Sequence, residues 1–530
     1  MRLGIDVGGT NTDAVLLNGN QVLSWSKSPT TQNVTDGIID VIQTVLTRAG
    51  VAVSDVECIM LGTTHFTNAF VERRGLLEVG VIRLGSPASD ALLPMTGWPQ
   101  AMTRKIGQHI YLLPGGYEFD GRDISTFNEL EVRKAIRDMR AKGLRSAAIS
   151  CTFAPINPCM EQRTAQLFAE EAPEIALTLS SAFGRPGFLE RENAAIMNAS
   201  LAAMAKEVVA SFTRAFDQLG LSVPFYISQN DGTLISAQYA ARFPVFTFGS
   251  GPTNSMRGGA FLTGLQDAIV VDIGGTTTDI GALSHGFPRE STMSVDIGGV
   301  RTNFRMPDIL ALGLGGGTRI ELAPNQFNSE QLPQQVVIGP ESVGYRLSKE
   351  ALIFGGQELT TSDIAVASGR ADFGNKASLP QFSAAVLNGL LAKIDSIMED
   401  GLDRMKMSRD KVPVILVGGG SVIAPSQLKG ASEVIRPGHA SVANAVGAAI
   451  AQVGAEVESI ISYDATPREQ ALATIKQQAV AKAINAGAAN DSVKIIDLDE
   501  VYLSYMPGNM VQIRVKAVGD LNITVNRRYT

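Results

Sequence analysis

The sequence predicts an α/β protein of two like halves around one cleft, with a small α+β domain at its C-terminal end. Three observations carry this. Asp6-Val7-Gly8-Gly9-Thr10-Asn11-Thr12-Asp13 returns as Asp272-Ile273-Gly274-Gly275-Thr276-Thr277-Thr278-Asp279, identical at six of eight positions. Short apolar runs alternate with segments of helical spacing through most of the chain. After about Gly454 the pattern changes to one helix and several strands around the turn Pro507-Gly508-Asn509.

The elements follow in order. Leu3–Val7 and Ala14–Leu17 are apolar runs, and Asn18-Gly19-Asn20 turns the chain into Gln21–Ser26, an antiparallel meander. Val34, Ile38, Ile42 and Val45 fall at helical spacing before Gly50. Glu57–Leu61 is a buried strand feeding Gly62-Thr63-Thr64 and a helix that carries Asn68. Further on, Ala147–Cys151 and Phe225–Gln229 are strands, and Phe188–Leu219 is one long helix. Ala268–Ile273, Ile280–Leu283 and Val412–Val417 repeat the opening strand grammar. Arg468–Ala486 is an amphipathic helix; Val493–Leu498 and Glu500–Met506 are strands, and Met510–Ala517 pairs back across the turn. The expected boundaries are 1–80 for the start of the first half and 81–265 for its completion with inserted substrate-side elements. The second half is 266–453, and the separate C-terminal domain is 454–530.

At 530 residues the chain exceeds one core and suggests about two to four domains. A net charge of −7, without basic stretches interleaved with aromatics, argues against nucleic acid as a partner. Cys58, Cys151 and Cys159 form no CxxC pair, and the four histidines show no zinc spacing. No apolar run reaches the ~18 residues of a membrane span, and no secretory signal opens the chain. A cytoplasmic setting is the expectation.

The repeated octapeptide is a phosphate-gripping hairpin in chemical terms. Two glycines without side chains let a phosphate approach backbone N–H groups, and threonine hydroxyls add donors. A leading Asp is placed to hold Mg²⁺, which takes few carboxylates together with phosphate oxygens. A single copy reads equally well as a plain glycine turn; a second copy with the same Asp, Thr and Asp does not. The site expected from this is Asp6, Gly8, Gly9, Thr10, Asn11, Thr12 and Asp13, with Asp272, Gly274, Gly275, Thr276, Thr277, Thr278 and Asp279 opposite. A glycine-rich turn should pack on the nucleoside. Gly418-Gly419-Gly420 after the strand Val412–Val417 is one candidate, and Gly315-Gly316-Gly317 is its rival, which could instead line the phosphate side. No GxxxxGK[ST] occurs, which excludes a P-loop enzyme.

Two such hairpins on duplicated halves resemble the actin-like ATPase superfamily, which includes sugar kinases and heat-shock chaperones. That resemblance implies two ribonuclease-H-like halves with ATP and Mg²⁺ between them. A sharper match is to the hydantoinase/oxoprolinase family, whose ATP-using A-type subunits open cyclic amides. It rests on Ile5–Asp13, on Gly62-Thr63-Thr64 with Thr67-Asn68-Ala69 and Glu72-Arg73-Arg74-Gly75, on Ser250-Gly251-Pro252, and on Val271–Asp279. Glu190-Arg191 with Asn198 also fits the family's central helix. One departure is Leu61, where the family usually has His. The resemblance implies ring opening of a hydantoin, 5-oxoproline or lactam after the γ-phosphoryl of ATP activates the amide oxygen, with a B-type partner subunit. It implies that Asp6 and Asp272 organise Mg²⁺ and the attacking group, and that Asp13 and Asp279 orient the hairpins or transfer protons. Thr63, Thr64 and Asn68 are then expected near the γ-phosphate or the substrate. A small-molecule kinase and a nucleotide-driven switch of the same fold are the competing functions, and oligomeric state is left open.

Overall fold

An apolar run with no polar alternation needs cover on both faces. Arg2–Val7 (β1), whose last five residues are all buried, receives it in the middle of a sheet. The computed structural model describes residues 1–9, 11–30, 34–183, 187–291, 295–304, 306–504 and 506–522; Thr10, an expected phosphate contact, lies outside them.

β1, Asn11–Asn18 (β2) and Gln21–Pro29 (β3) form the antiparallel meander. Val34–Ala49 (α1) lays Ile38, Val41, Ile42 and Val45 over it. Cys58–Thr63 (β4) then pairs parallel to β1, and His65–Val71 (α2) starts directly after it. An inserted layer follows. Gly80–Ser86 (β5), His109–Pro114 (β6), Ser146–Cys151 (β7) and Ala176–Leu179 (β8) make a parallel sheet in the order β6-β5-β7-β8. Phe188–Gln218 (α3) leads back from it. This helix is long and apolar enough by length and composition to cross a membrane, contrary to the expectation that no stretch is. Its residues from Arg191 to Leu201 are buried against Phe66, Phe70, Trp98 and Phe248, so it is a core helix here. Phe225–Ser228 (β9) and Thr233–Ser236 (β10) complete the first sheet.

Ser250–Thr263 (α4) leads into the second half, where the grammar repeats. Ala268–Ile273 (β11) and Thr278–Ser284 (β12) form the hairpin, and Ile309–Leu312 (β13) pairs along β12. Val412–Val417 (β14) and Ala431–Ile435 (β15) continue parallel to β11. The strand order β13-β12-β11-β14-β15 matches β3-β2-β1-β4-β9 strand for strand, so the two ribonuclease-H-like halves are duplicates in topology. Ala384–Met405 (α5) buries Val386, Leu390, Ile394 and Met398 at helical spacing against the second sheet.

The boundaries expected at 265/266 and 453/454 do not divide the molecule. Met256 and Ala260 of α4 pack on Val270, Ile415 and Val417 of the second sheet. Ala443–Ala449 (α6), on the second half's side of the sequence, packs Ala445, Val446 and Ala449 against Val15 and Leu17 of the first. The C-terminal segment is α+β as expected, but it is not a separate domain. Gln452–Ser462 (β16) pairs parallel to β10, and Lys494–Tyr502 (β17) and Met510–Gly519 (β18) extend the same sheet. One strand, β17, stands where two were expected. Arg468–Asn485 (α7) covers these strands with Ala471, Ile475, Ala479 and Ala483. Lys516 then joins Asp231 at 2.8 Å to Glu290 at 3.1 Å, a buried link from the C-terminal strands to the second half.

α4 and α6 cross at backbone contact. An added Cβ at Gly447 would lie 1.8 Å from the Asn254 carbonyl oxygen, and one at Gly258 would lie 1.9 Å from that of Ala443. Gly→Ala inside an ordinary helix stabilises by about 1 kcal/mol. Here the sign should reverse: Gly447→Ala should cost about 3 kcal/mol or more, because a carbonyl cannot rotate away. A urea melt of the variant checks this.

Candidate functional site

The two hairpins are superimposable in register. Asp6 faces Asp13 across β1 and β2, and Asp272 faces Asp279 across β11 and β12. Each turn closes with the same hydrogen bond: the Gly8 N–H donates to the Asn11 carbonyl at 3.0 Å, and the Gly274 N–H to that of Thr277 at 2.9 Å. Side chains alternate faces along a strand. Asp13 therefore points one way and Thr12 the other, as do Asp279 and Thr278.

This corrects part of the expected phosphate grip. Thr278 is fully buried and gives its hydroxyl hydrogen to the Leu314 carbonyl at 2.6 Å. Thr12 is fully buried against Thr30, whose hydroxyl reaches the Gly8 carbonyl at 2.9 Å. Both threonines brace the turns from behind. Thr276 and Thr277 are exposed at the second turn, and Asn11 is half-buried at the first.

The carboxylates are held at high electrostatic cost. Asp6 is 3% exposed; its Oδ2 accepts from Asn444 Nδ2 at 2.8 Å, while its Oδ1 has no partner. Burial, with the Asp13 charge beside it, pushes the Asp6 carboxyl up to about 7. Burial raises Asp13 as well, against the pull of Lys27, whose Nζ lies 2.9 Å from Asp13 Oδ2 and also donates to the Ser441 carbonyl. Burial raises Asp272, opposed by a hydrogen bond from Ser255. Asp279 goes up to about 7 through burial and the neighbouring Asp272. The Asp272 charge is felt at Asp6, and that of Asp13 at Asp272, so the two hairpins share one electrostatic site.

Both glycine turns of the second half serve its hairpin. Gly316 N–H donates to the Gly274 carbonyl at 3.0 Å and Gly317 N–H to that of Gly275 at 2.7 Å, so Gly315–Gly317 back the second turn. Gly420 N–H donates to the Ile273 carbonyl at 2.7 Å, and a Cβ on Gly418 would stand 2.3 Å from Asp272 Oδ1. Cβ atoms on Gly275 and Gly419 would meet nothing within 4 Å, so those two glycines border open space.

In the first half, Asn68 Nδ2 donates to Thr64 Oγ1 at 3.3 Å and lies 3.6 Å from where a Gly9 Cβ would be. Thr64 and Asn68 thus border the first turn. Thr63 does not: it is 1% exposed, and its Oγ1 accepts the His65 N–H at 3.1 Å at the start of α2. Ser250 at the head of α4 donates to the Thr63 carbonyl, so the Ser250-Gly251-Pro252 stretch abuts this corner. Arg191 is a buried brace donating to the Cys151 carbonyl, and Glu190 pairs with Arg301 at 3.2 Å. Lys27, Asn254, Ser255 and Asn444 belong to the site but were not expected from sequence. Each is a lone polar residue with no spacing partner, and only its place in the fold reveals it.

The sequence profile of the hydantoinase/oxoprolinase N-terminal region matches residues 2–172, and that of hydantoinase/oxoprolinase matches 191–375. The chain is similar to caprolactamase subunit alpha of Pseudomonas jessenii, 26% identical over 394 residues, covering 69% of this chain and 54% of that protein. It is similar to the acetophenone carboxylase gamma subunit of Aromatoleum aromaticum, 24% identical over 399 residues, with 69% and 53% covered. The chain thus spans about half the length of the curated relatives it matches. Among solved structures, the ATP-dependent caprolactamase of P. jessenii superposes with a TM-score of 0.76 at 20% identity, covering 98% of this chain and 87% of that one. Nucleotide-free acetone carboxylase superposes at 0.70 and 18% identity, with 98% and 88% covered. These likenesses establish the fold.

A stability prediction follows from the raised carboxyls. Folded Asp6 and Asp279 keep protons up to about 7, while an unfolded Asp releases its proton near 4. Between these values the folded state binds more protons, so stability falls as pH rises. The ligand-free protein should melt lower at about pH 8 than at about pH 5. Asp6→Asn with Asp279→Asn should flatten that slope and raise the midpoint at the higher pH by roughly 4 °C or more, read by scanning fluorimetry.

Proposed function

This chain belongs to the hydantoinase/oxoprolinase family, and from that premise we propose that it is an ATP-dependent cyclic amidase subunit. Its substrate is a hydantoin, 5-oxoproline or lactam, and a B-type subunit completes the enzyme. The observation that carries the reading is the pair of hairpins with two carboxylates each, buried at Asp6 and Asp13 and half-buried at Asp272 and Asp279, bordered by Thr64 and Asn68. A caprolactamase opens a lactam and acetone carboxylase acts on a ketone, and the two related structures are both ATP-dependent. What those substrates share is a carbonyl oxygen, so phosphoryl transfer to that oxygen is the step assigned to this chain.

The residues divide the work. Backbone N–H groups at the tips of the two turns, Gly9 and Gly275 among them, receive phosphate oxygens, with Thr276 and Thr277 adding hydroxyls. Gly315–Gly317 back the second turn, and Gly419, between Gly418 and Gly420 packed on the hairpin, offers a bare surface to the nucleoside. Mg²⁺ fits the donor set: the charge of Asp272 is felt at Asp6, and two carboxylates suffice beside phosphate oxygens. When bound it neutralises charge on the transferring phosphoryl group. Asn68 and Thr64 orient the amide. Its oxygen attacks the γ-phosphorus, the bond to the β-phosphate oxygen breaks, and Asp279 takes the proton given up by the ring nitrogen. An Asp titrating near 7 is suited to that transfer. Water then adds to the activated carbon, the nitrogen regains its proton, the ring C–N bond breaks, and a second water releases phosphate.

The chain should be assayed with ATP, Mg²⁺ and a panel of hydantoins and lactams, with and without the B-type subunit. One ring compound should accelerate ATP hydrolysis, with ADP and inorganic phosphate as the only phosphorus products by NMR. A lasting phosphoester would instead make the chain a kinase, and indifference to every ring would remove the amidase reading. Asp272→Asn should lower turnover by roughly 10²–10³-fold with the fold retained by circular dichroism.

A further inference from the structure

α4 runs between the two halves and presents consecutive side chains to their leading carboxylates. Ser255 is 3% exposed and hydrogen-bonds Asp272. Asn254 is fully buried and faces Asp6, but neither its Nδ2 nor its Oδ1 has a partner. Asp6 Oδ1 is likewise buried without one. Both meet at Gly62, the glycine paired with Asp6 across β1 and β4. A Cβ there would lie 2.4 Å from Asp6 Oδ1 and 2.5 Å from Asn254 Nδ2, so the two groups face each other across the space that the glycine leaves.

A buried amide with no hydrogen bond costs about 1–3 kcal/mol, and an apolar group of the same shape removes that cost. Packing gives no reason for Asn at this position. Asn254 carries a donor and an acceptor, and the carboxylate oxygen opposite supplies a further acceptor. Buried waters are held by two to four such groups. In the second half the Ser255 hydroxyl serves Asp272, lowering its carboxyl against the effect of burial.

We infer that Asn254 is a positioning residue for Asp6: its amide and Asp6 Oδ1 hold one buried water between them, which fixes the carboxylate for phosphoryl transfer. This rests on the nucleotide cleft proposed above but not on the identity of the ring. Asn444 holds Oδ2 of the same carboxylate from α6, so Asp6 is fixed from both helices that cross between the halves. Asn254 touches no substrate and acts through Asp6 alone.

The test uses the full chain. Asn254→Leu removes the amide at similar size. It should leave KM for ATP within about twofold and lower kcat for ATP hydrolysis at least tenfold, with the fold retained by circular dichroism. Asn254→Ser, whose hydroxyl still holds a water, should recover most of that loss. A high-resolution crystal structure of the wild type should show a water within hydrogen-bonding distance of Asp6 Oδ1 and the Asn254 amide, absent from Asn254→Leu. If KM rises along with the loss of kcat, or Asn254→Ser recovers none of it, the residue is structural; if Asn254→Leu keeps full kcat, or if no water bridges the pair, the inference is wrong. Basal ATP hydrolysis is the readout, so failure to find a ring substrate would overturn the amidase reading and leave this one standing.

Discussion

Four carboxylates set in facing pairs, buried at Asp6 and Asp13 and half-buried at Asp272 and Asp279, are the constraint on which the rest of the structure depends. Taking a carboxylate out of water is costly, and placing a second charge beside it costs more. The protein offsets only part of this, with Lys27 on Asp13, Asn444 on Asp6 and Ser255 on Asp272. The remainder is stored in carboxyls pushed up toward neutrality and in oxygens without partners. The cation of the proposed ATP–Mg²⁺ ligand would relieve that strain.

The fold can be understood as the means of holding those charges still. Each hairpin sits on a central strand covered on both faces, so its Asp is fixed by a backbone that cannot relax. The two helices that cross between the halves touch backbone to backbone at Gly447 and Gly258, and they carry Asn254, Ser255 and Asn444 into the site. Because the halves exchange these helices, a shift of one half moves ligands of both carboxylate pairs. The Lys516–Glu290 link ties the C-terminal strands into the same arrangement.

Much of this was legible in sequence, for physical reasons. The hairpins were readable because one local order of glycine, hydroxyl and carboxylate between two apolar runs occurs twice, and both copies fold alike. The long helix Phe188–Gln218 was readable from its apolar period and its flanking glycines. The roles of Thr12 and Thr278 were misassigned, although strand alternation already placed them on the face opposite Asp13 and Asp279. Joining the C-terminal strands to the first sheet depends on Thr233 meeting Gln452, a pairing between distant segments that leaves no local trace. Asn254 and Asn444 are lone amides, and only the crossing of two helices gives them a meaning.

The central claim is that both hairpins grip one and the same nucleotide. Calorimetric titration of the chain with a non-hydrolysable ATP analogue and Mg²⁺ tests it most directly. The account predicts one nucleotide per chain, with binding lost or strongly weakened in Asp6→Asn and in Asp272→Asn alike, although the two residues lie on different halves. Two nucleotides per chain, or binding that survives either substitution unchanged, would contradict it.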